Sequence, residues 1–128
     1  MAHTPVHSAQ APRAIGPYSQ AVEARPGRLV FLSGQIPLDP ATGELVVGDI
    51  SVQTERVMEN LGAVLKAASL GFPDIVRCTI YLVDLAEFVT VNGVYGRYFA
   101  SAPPARATVQ VAALPKGARV EIDAVAVG

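Results

Sequence analysis

The sequence predicts an α+β domain: a mixed sheet with two helices on one of its faces. Two observations define it. Short runs that alternate apolar and polar residues at a period of two are broken by only two stretches with a helical stripe, in the order ββαβαββ. In addition, 128 residues without a repeat or a long linker make one domain with a real core, not two. Two helices can cover only one face of the sheet, so the other face is left for packing against something else.

Residues 1–16 read as an N-terminal tail and loop ending at Ile15-Gly16-Pro17, and residues 17–128 as the domain. Tyr18 to Ala24 and Arg28 to Gly34 are strand candidates joined by a turn around Arg25-Pro26-Gly27. Pro37, Asp39-Pro40 and Thr42-Gly43 then mark a loop. A helix is expected from about Ser51 to Leu70, with Val57, Leu61, Val64, Leu65 and Ala68 as its apolar stripe. Asp49 or Ser51 suits its cap, and Gly71 suits a left-handed residue beyond its end. Ile75 to Val83 is a strand. Asp84-Leu85-Ala86-Glu87 offers a capping box for a second helix with Phe88, Val91, Tyr95, Tyr98 and Phe99 on one face, stopped by Pro103.

Two last strands follow, Ala105 to Val111 and a run through Val120, Ile122, Ala124 and Ala126, separated by the turn Leu114-Pro115-Lys116-Gly117. Paired as a hairpin with coincident apolar faces, they would put Arg106, Thr108 and Gln110 on the same side as Glu121 and Asp123. A fixed guanidinium beside a fixed carboxylate can bind an organic acid and handle a proton. It can equally be a structural salt bridge of Arg106 with Glu121 or Asp123.

Composition narrows the chemistry. Half of the residues (51%) are hydrophobic and only 16% are charged, which suits a domain that hides surface against copies of itself. The net charge of −1 and the absence of a basic run give no electrostatic footprint for nucleic acid. Cys78 is the single cysteine, which excludes an intramolecular disulfide and a cysteine-based zinc site; no metal and no cofactor are expected. Both histidines, His3 and His7, fall in the expected tail, so the folded body is expected to lack an imidazole base. Neither a signal-peptide pattern nor a bilayer-length apolar run is present, and a soluble cytoplasmic protein without membrane contact is expected.

Five blocks together resemble one family. They are Ile15-Gly16-Pro17-Tyr18-Ser19-Gln20, Ser33-Gly34-Gln35-Ile36-Pro37, Thr90-Val91-Asn92, Pro104-Ala105-Arg106, and Leu114-Pro115-Lys116 through Val120-Glu121-Ile122-Asp123-Ala124-Val125-Ala126-Val127. In order and spacing they resemble the Rid family of reactive intermediate (enamine/imine) deaminases, also described as L-PSP endoribonuclease-like. The resemblance implies a chorismate-mutase-like fold and a homotrimer with clefts between subunits. It also implies cofactor-free hydrolysis of 2-imino or 2-enamino acids, such as 2-iminobutanoate and 2-iminopropanoate, to 2-oxo acids and ammonia. By the same resemblance Arg106 binds the substrate carboxylate and Glu121 serves the attacking water. Tyr18, Ser33, Gly34 and Asn92 line the cleft or the seam beside it. Thr108 stands where many members have cysteine, at a position used through its backbone carbonyl, so a thiol mechanism is excluded.

Two other function classes remain open on the sequence. One is a non-catalytic module holding a small carboxylate such as a 2-oxo acid through the same arginine. The other is a ribonuclease or translation inhibitor, against which the lack of a histidine in the body and of a basic groove speaks.

Overall fold

A computed structural model of the chain describes residues 3–25, 27–100 and 102–128. Pro26 of the expected turn and the first two residues of the expected tail lie outside the described residues. Among the described residues six strands and two α-helices run in the order β1 (His3–Val6), β2 (Ala21–Ala24), β3 (Leu29–Gln35), α1 (Ile50–Ala67), β4 (Ile75–Leu82), α2 (Phe88–Gly96), β5 (Ala105–Gln110) and β6 (Val120–Val127). The α+β class and the seven expected elements are present, with one strand more at the front.

That extra strand corrects the reading of residues 1–16 as tail and loop. His3–Val6 pairs antiparallel with Ala21–Ala24, His3 opposite Ala24, to make a separate two-stranded sheet. His3 is buried, and its Nε2 donates to the Pro73 carbonyl at 2.5 Å. The folded body therefore does hold one imidazole. Alternation gave no signal here, because three of the four residues of β1 are exposed.

The helices follow their expected logic with local changes. Asp49 caps α1 by accepting the Val52 N–H at 3.0 Å, and Val57, Leu61 and Leu65 are fully buried. Val64 is 40% exposed and so lies off the stripe. The left-handed residue after α1 is Ser69, at φ 61°, and Gly71 is extended. The Leu70 N–H bonds the Leu65 carbonyl at 2.8 Å, and the helix closes three residues earlier than expected. Asp84 does cap, accepting the Ala86 N–H at 2.9 Å, but it opens a 3-10 turn before α2. Glu87 does not complete a capping box; its carboxylate pairs with Arg119. α2 ends at Gly96, so Tyr98 and Phe99 pack on the core from beyond the helix.

The main sheet has the order β3-β6-β4-β5. β6 is antiparallel to both β3 and β4, whereas β5 is parallel to β4 and reached through α2. The expected hairpin of the last two strands does not exist. After β5 the chain crosses the end of β4, where the Val111 N–H bonds Leu82 O and the Val83 N–H bonds Arg119 O. β6 then inserts between β3 and β4. A parallel strand needs a crossover, and α2 supplies it; sequence adjacency of β5 and β6 was the wrong guide.

Both helices cover one face. Cys78, Ile80 and Leu82 of β4 and Val120, Ile122 and Ala124 of β6 point into that layer, against Val57, Leu61, Leu65, Val91 and Tyr95. The opposite face is open, with Phe31 74%, Leu29 53% and Val109 42% exposed.

Candidate functional site

The register places Arg106 beside Cys78 and Glu121 beside Tyr81 on β4. Neighbours in register share a face, and Cys78 and Tyr81 point to opposite faces. Arg106 therefore projects into the helix layer and Glu121 from the open face. The expectation that the two share one side is wrong. On β5 the apolar alternation Ala105, Ala107 and Val109 lies on the open face, and the polar set faces α2 and its approach. An edge strand can do this because its side chains reach polar partners at the rim. Gln110 Oε1, for instance, accepts the Leu85 N–H at 2.9 Å.

Arg106 is half-buried and held from several sides. Its Nη1 donates to Asn92 Oδ1 at 2.7 Å. Its Cζ lies 5.3 Å from the ring centre of Tyr18, 5.4 Å from that of Phe88 and 5.3 Å from that of Tyr95. Among the described residues no carboxylate is ion-paired with it. Burial pulls its pKa below the usual arginine value, but a guanidinium stays cationic in a protein. The structural salt bridge with Glu121 or Asp123 is absent; Asp123 instead accepts from the Tyr81 hydroxyl at 3.0 Å.

The guanidinium borders a cavity of about 320 Å³ lined by Ile15, Gly16, Tyr18, Phe88, Asn92, Arg106 and Thr108. One wall is the loop before β2. Ser19 ties it to the entry of β5, its hydroxyl donating to Pro103 O at 2.5 Å and its N–H to Pro104 O at 3.1 Å. The Tyr18 hydroxyl accepts the Ile15 N–H at 3.3 Å, which turns the loop back on itself. A Cβ on Gly16 would sit 3.5 Å from Arg106 Nη2 and 3.7 Å from Asn92 Nδ2, so both donors border the same space. Asn92 thus gives its oxygen to the arginine and keeps its nitrogen on the Gly16 side. A cation and an amide donor beside apolar walls suit a small carboxylate. The Thr108 Oγ1 in this wall is buried and lacks a hydrogen-bond partner.

Ser33, Gly34 and Glu121 form a second group. Gly34 lies against Glu121: a Cβ at position 34 would be 1.9 Å from Glu121 Oε2 and 2.8 Å from its Cδ. The missing side chain makes room for the carboxylate. Ser33 is exposed beside it. The structure thus unites Tyr18, Asn92, Arg106 and Thr108 in one half-site and Ser33, Gly34 and Glu121 in another, and one chain does not join the halves.

Cys78 is buried, and burial raises its thiol pKa to about 11, which leaves it a poor nucleophile. Neither histidine lines the cavity. Among the described residues no group of three or more His, Cys, Asp or Glu side chains is placed to hold a metal ion, and no helix is long and apolar enough to cross a membrane.

Phe88 and Tyr95 read as core residues in the sequence; Tyr95 is one and Phe88 packs against the core, and both rings also border the arginine. The available signal was their spacing with Asn92 along α2, which puts all three on one helical face. Ile15 and Gly16 stood in a matching block without a role; nothing in the chain between them and Arg106 reports that the loop folds back over β5.

Residues 8–128 match the family model described as Endoribonuclease L-PSP. Over 127 residues the chain is 67% identical to Protein DfrA of Myxococcus xanthus, covering 99% of this chain and 97% of that one. It is 51% identical over 122 residues to the 2-iminobutanoate/2-iminopropanoate deaminase of Bos taurus, covering 95% of this chain and 88% of that protein. Among solved structures, a protein of the conserved Rid family from Yersinia pestis superposes over 100% of both chains with a TM-score of 0.92 at 30% identity. The α+β fold with its mixed sheet is the one these structures share, and the chain belongs to the Rid (L-PSP endoribonuclease-like) family.

Proposed function

We propose that the protein is a deaminase that hydrolyses 2-imino and 2-enamino acids to 2-oxo acids and ammonia. One observation carries the reading: Arg106 has no carboxylate partner among the described residues, is hydrogen-bonded at Nη1 by Asn92, and holds Nη2 beside Gly16 in the lining of a cavity of about 320 Å³. Its fork takes the substrate carboxylate, with Asn92 Nδ2 as a second donor, and places C2 of the imine at the cavity mouth. Water then adds to C2 while Glu121 accepts its proton and passes it to the imine nitrogen. The C2–N bond breaks, ammonia leaves, and the C2 hydroxyl yields its proton as the oxo group forms. No cofactor enters the balance.

Because Glu121 projects from the opposite face, this chemistry takes the carboxylate from a second copy. The open face, with Phe31, Leu29 and Val109 exposed, is the surface that packs against a neighbour, in a homotrimer with its clefts at the seams. Tyr18 and Thr108 then line the carboxylate side, and Ser33 and Gly34 the water side. The test is the decay of 2-iminobutanoate or 2-iminopropanoate released by an amino-acid oxidase or a dehydratase. Wild-type protein speeds it and Arg106→Ala does not; equal acceleration by both rejects the assignment.

The separation of Arg106 from Glu121 within one chain favours a second reading, a carboxylate-binding module without turnover. Binding of 2-oxobutanoate with no effect on imine decay would select it.

A further inference from the structure

Arg106 is enclosed by rings in a way that carboxylate binding alone does not require. Tyr18 approaches from the loop before β2, Phe88 from the first residue of α2 and Tyr95 from two turns further along it, each ring centre 5.3 or 5.4 Å from Cζ. Such three-sided cages elsewhere hold cationic ligands. Here the cage is filled by the protein's own guanidinium, so it selects where that cation points.

Tyr95 is the fixed member. It is fully buried, and its ring centre is 4.8 Å from that of Phe99, which meets Phe72 edge-on at 5.8 Å. This run of aromatic contacts reaches from Phe72, in the turn before β4, to the arginine. The buried Tyr95 hydroxyl sits beside the Cys78 thiol and makes no hydrogen bond to the guanidinium. The ring, not the hydroxyl, is therefore the part in use. Arginine has a long side chain with large rotamer freedom, and Asn92 holds only Nη1. A hydrogen bond at one corner leaves the plane free to swing; a ring on the buried side removes that freedom.

We propose that Tyr95 is a positioning residue, whose ring fixes the plane of Arg106 so that Nη2 faces the cavity, with Phe88 as its secondary support. The inference rests on the carboxylate-binding role of Arg106 given above, and its test separates the two.

The experiment follows the Arg106 side-chain Nε–Hε resonance, assigned by its disappearance in Arg106→Lys, and the Kd for 2-oxobutanoate, both in the full chain. Ring currents displace the wild-type resonance from the position of a free arginine. Tyr95→Phe keeps that displacement and a Kd within about twofold, because the hydroxyl makes no hydrogen bond to Arg106. Tyr95→Leu collapses the displacement and weakens binding about tenfold or more while the fold persists. Phe88→Leu, at a half-buried site, reduces both by a smaller factor and decides the matter if Tyr95→Leu does not fold. A folded Tyr95→Leu with the wild-type resonance and Kd overturns the proposal, as does a Tyr95→Phe as damaged as Tyr95→Leu, or, where Tyr95→Leu fails to fold, a Phe88→Leu unchanged in both. Wild-type protein that binds no 2-oxobutanoate overturns the carboxylate reading instead, and the resonance alone still judges the positioning role.

Discussion

Gly34→Ala is the substitution whose consequence can be worked furthest. A Cβ at this position would stand 1.9 Å from Glu121 Oε2, against an ordinary contact of about 3.4 Å, so the carboxylate must retreat by about 1.5 Å. The atom that gives way is the far end of a flexible side chain, and Gly34 has no positive φ that would strain an alanine. Stability is expected to fall by no more than about 1 kcal/mol, the cost of an unfavourable rotamer. Activity is a different matter, since displacing a catalytic group by about 1 Å costs roughly a hundredfold. The assay is turnover of 2-iminobutanoate by Gly34→Ala, Glu121→Gln and the double variant, with urea unfolding of each. The account expects roughly a hundredfold loss in Gly34→Ala and little further loss when it is added to Glu121→Gln, because both act through one carboxylate. Full activity in Gly34→Ala, or losses that simply multiply, would refute the reasoning.

Three other outcomes follow from the same geometry. Asn92→Asp keeps an acceptor for Arg106 Nη1 but replaces the Nδ2 donor by negative charge; the Kd for 2-oxobutanoate should rise at least tenfold by calorimetry, with the melting temperature nearly unchanged. The Cys78 thiol, held near 11 in the fold against 9.0 for the free group, keeps its proton where the unfolded chain loses it. Its contribution is full below about pH 9 and lost as the pH rises toward 11, on the order of 3 kcal/mol, so urea midpoints should fall over that window and fall less in Cys78→Ala. His3→Ala removes the bond to Pro73 and should cost about 1 kcal/mol of stability without changing turnover, since His3 is not at the cavity.

The sequence displayed the helices and the strands from β2 onward because their patterns are local. Val57, Leu61 and Leu65 announce α1 through their spacing, and the alternation from Val120 to Val127 announces β6, whose inward residues are all buried. Strand order is not local. Whether β6 lies beside β5 or beyond β4 depends on which edge β4 offers after the α2 crossover, and alternation reads the same in both arrangements. The error on the facing of Arg106 came from that step: an apolar set was assumed to face the core, yet on edge strand β5 it faces the open side. Arg106, Asn92, Tyr18 and Thr108, singled out in the sequence, do meet at one cavity. Their separation from Glu121 could not be read, because it is set by register on β4. Tyr95 is the core residue its spacing announced, and Phe88 packs against that core; their second contact, with Arg106, was not legible because a core aromatic and a cage aromatic have the same spacing on α2.

The central claim is that one catalytic centre draws Arg106 and Glu121 from different copies of the chain. Mixing inactive Arg106→Ala with inactive Glu121→Gln, after joint unfolding and refolding, measures this directly. Random pairing around a ring makes about one quarter of the sites whole, and the mixture should recover about that fraction of wild-type turnover of 2-iminobutanoate. A mixture as inactive as its components, from subunits shown to have exchanged, would contradict the account.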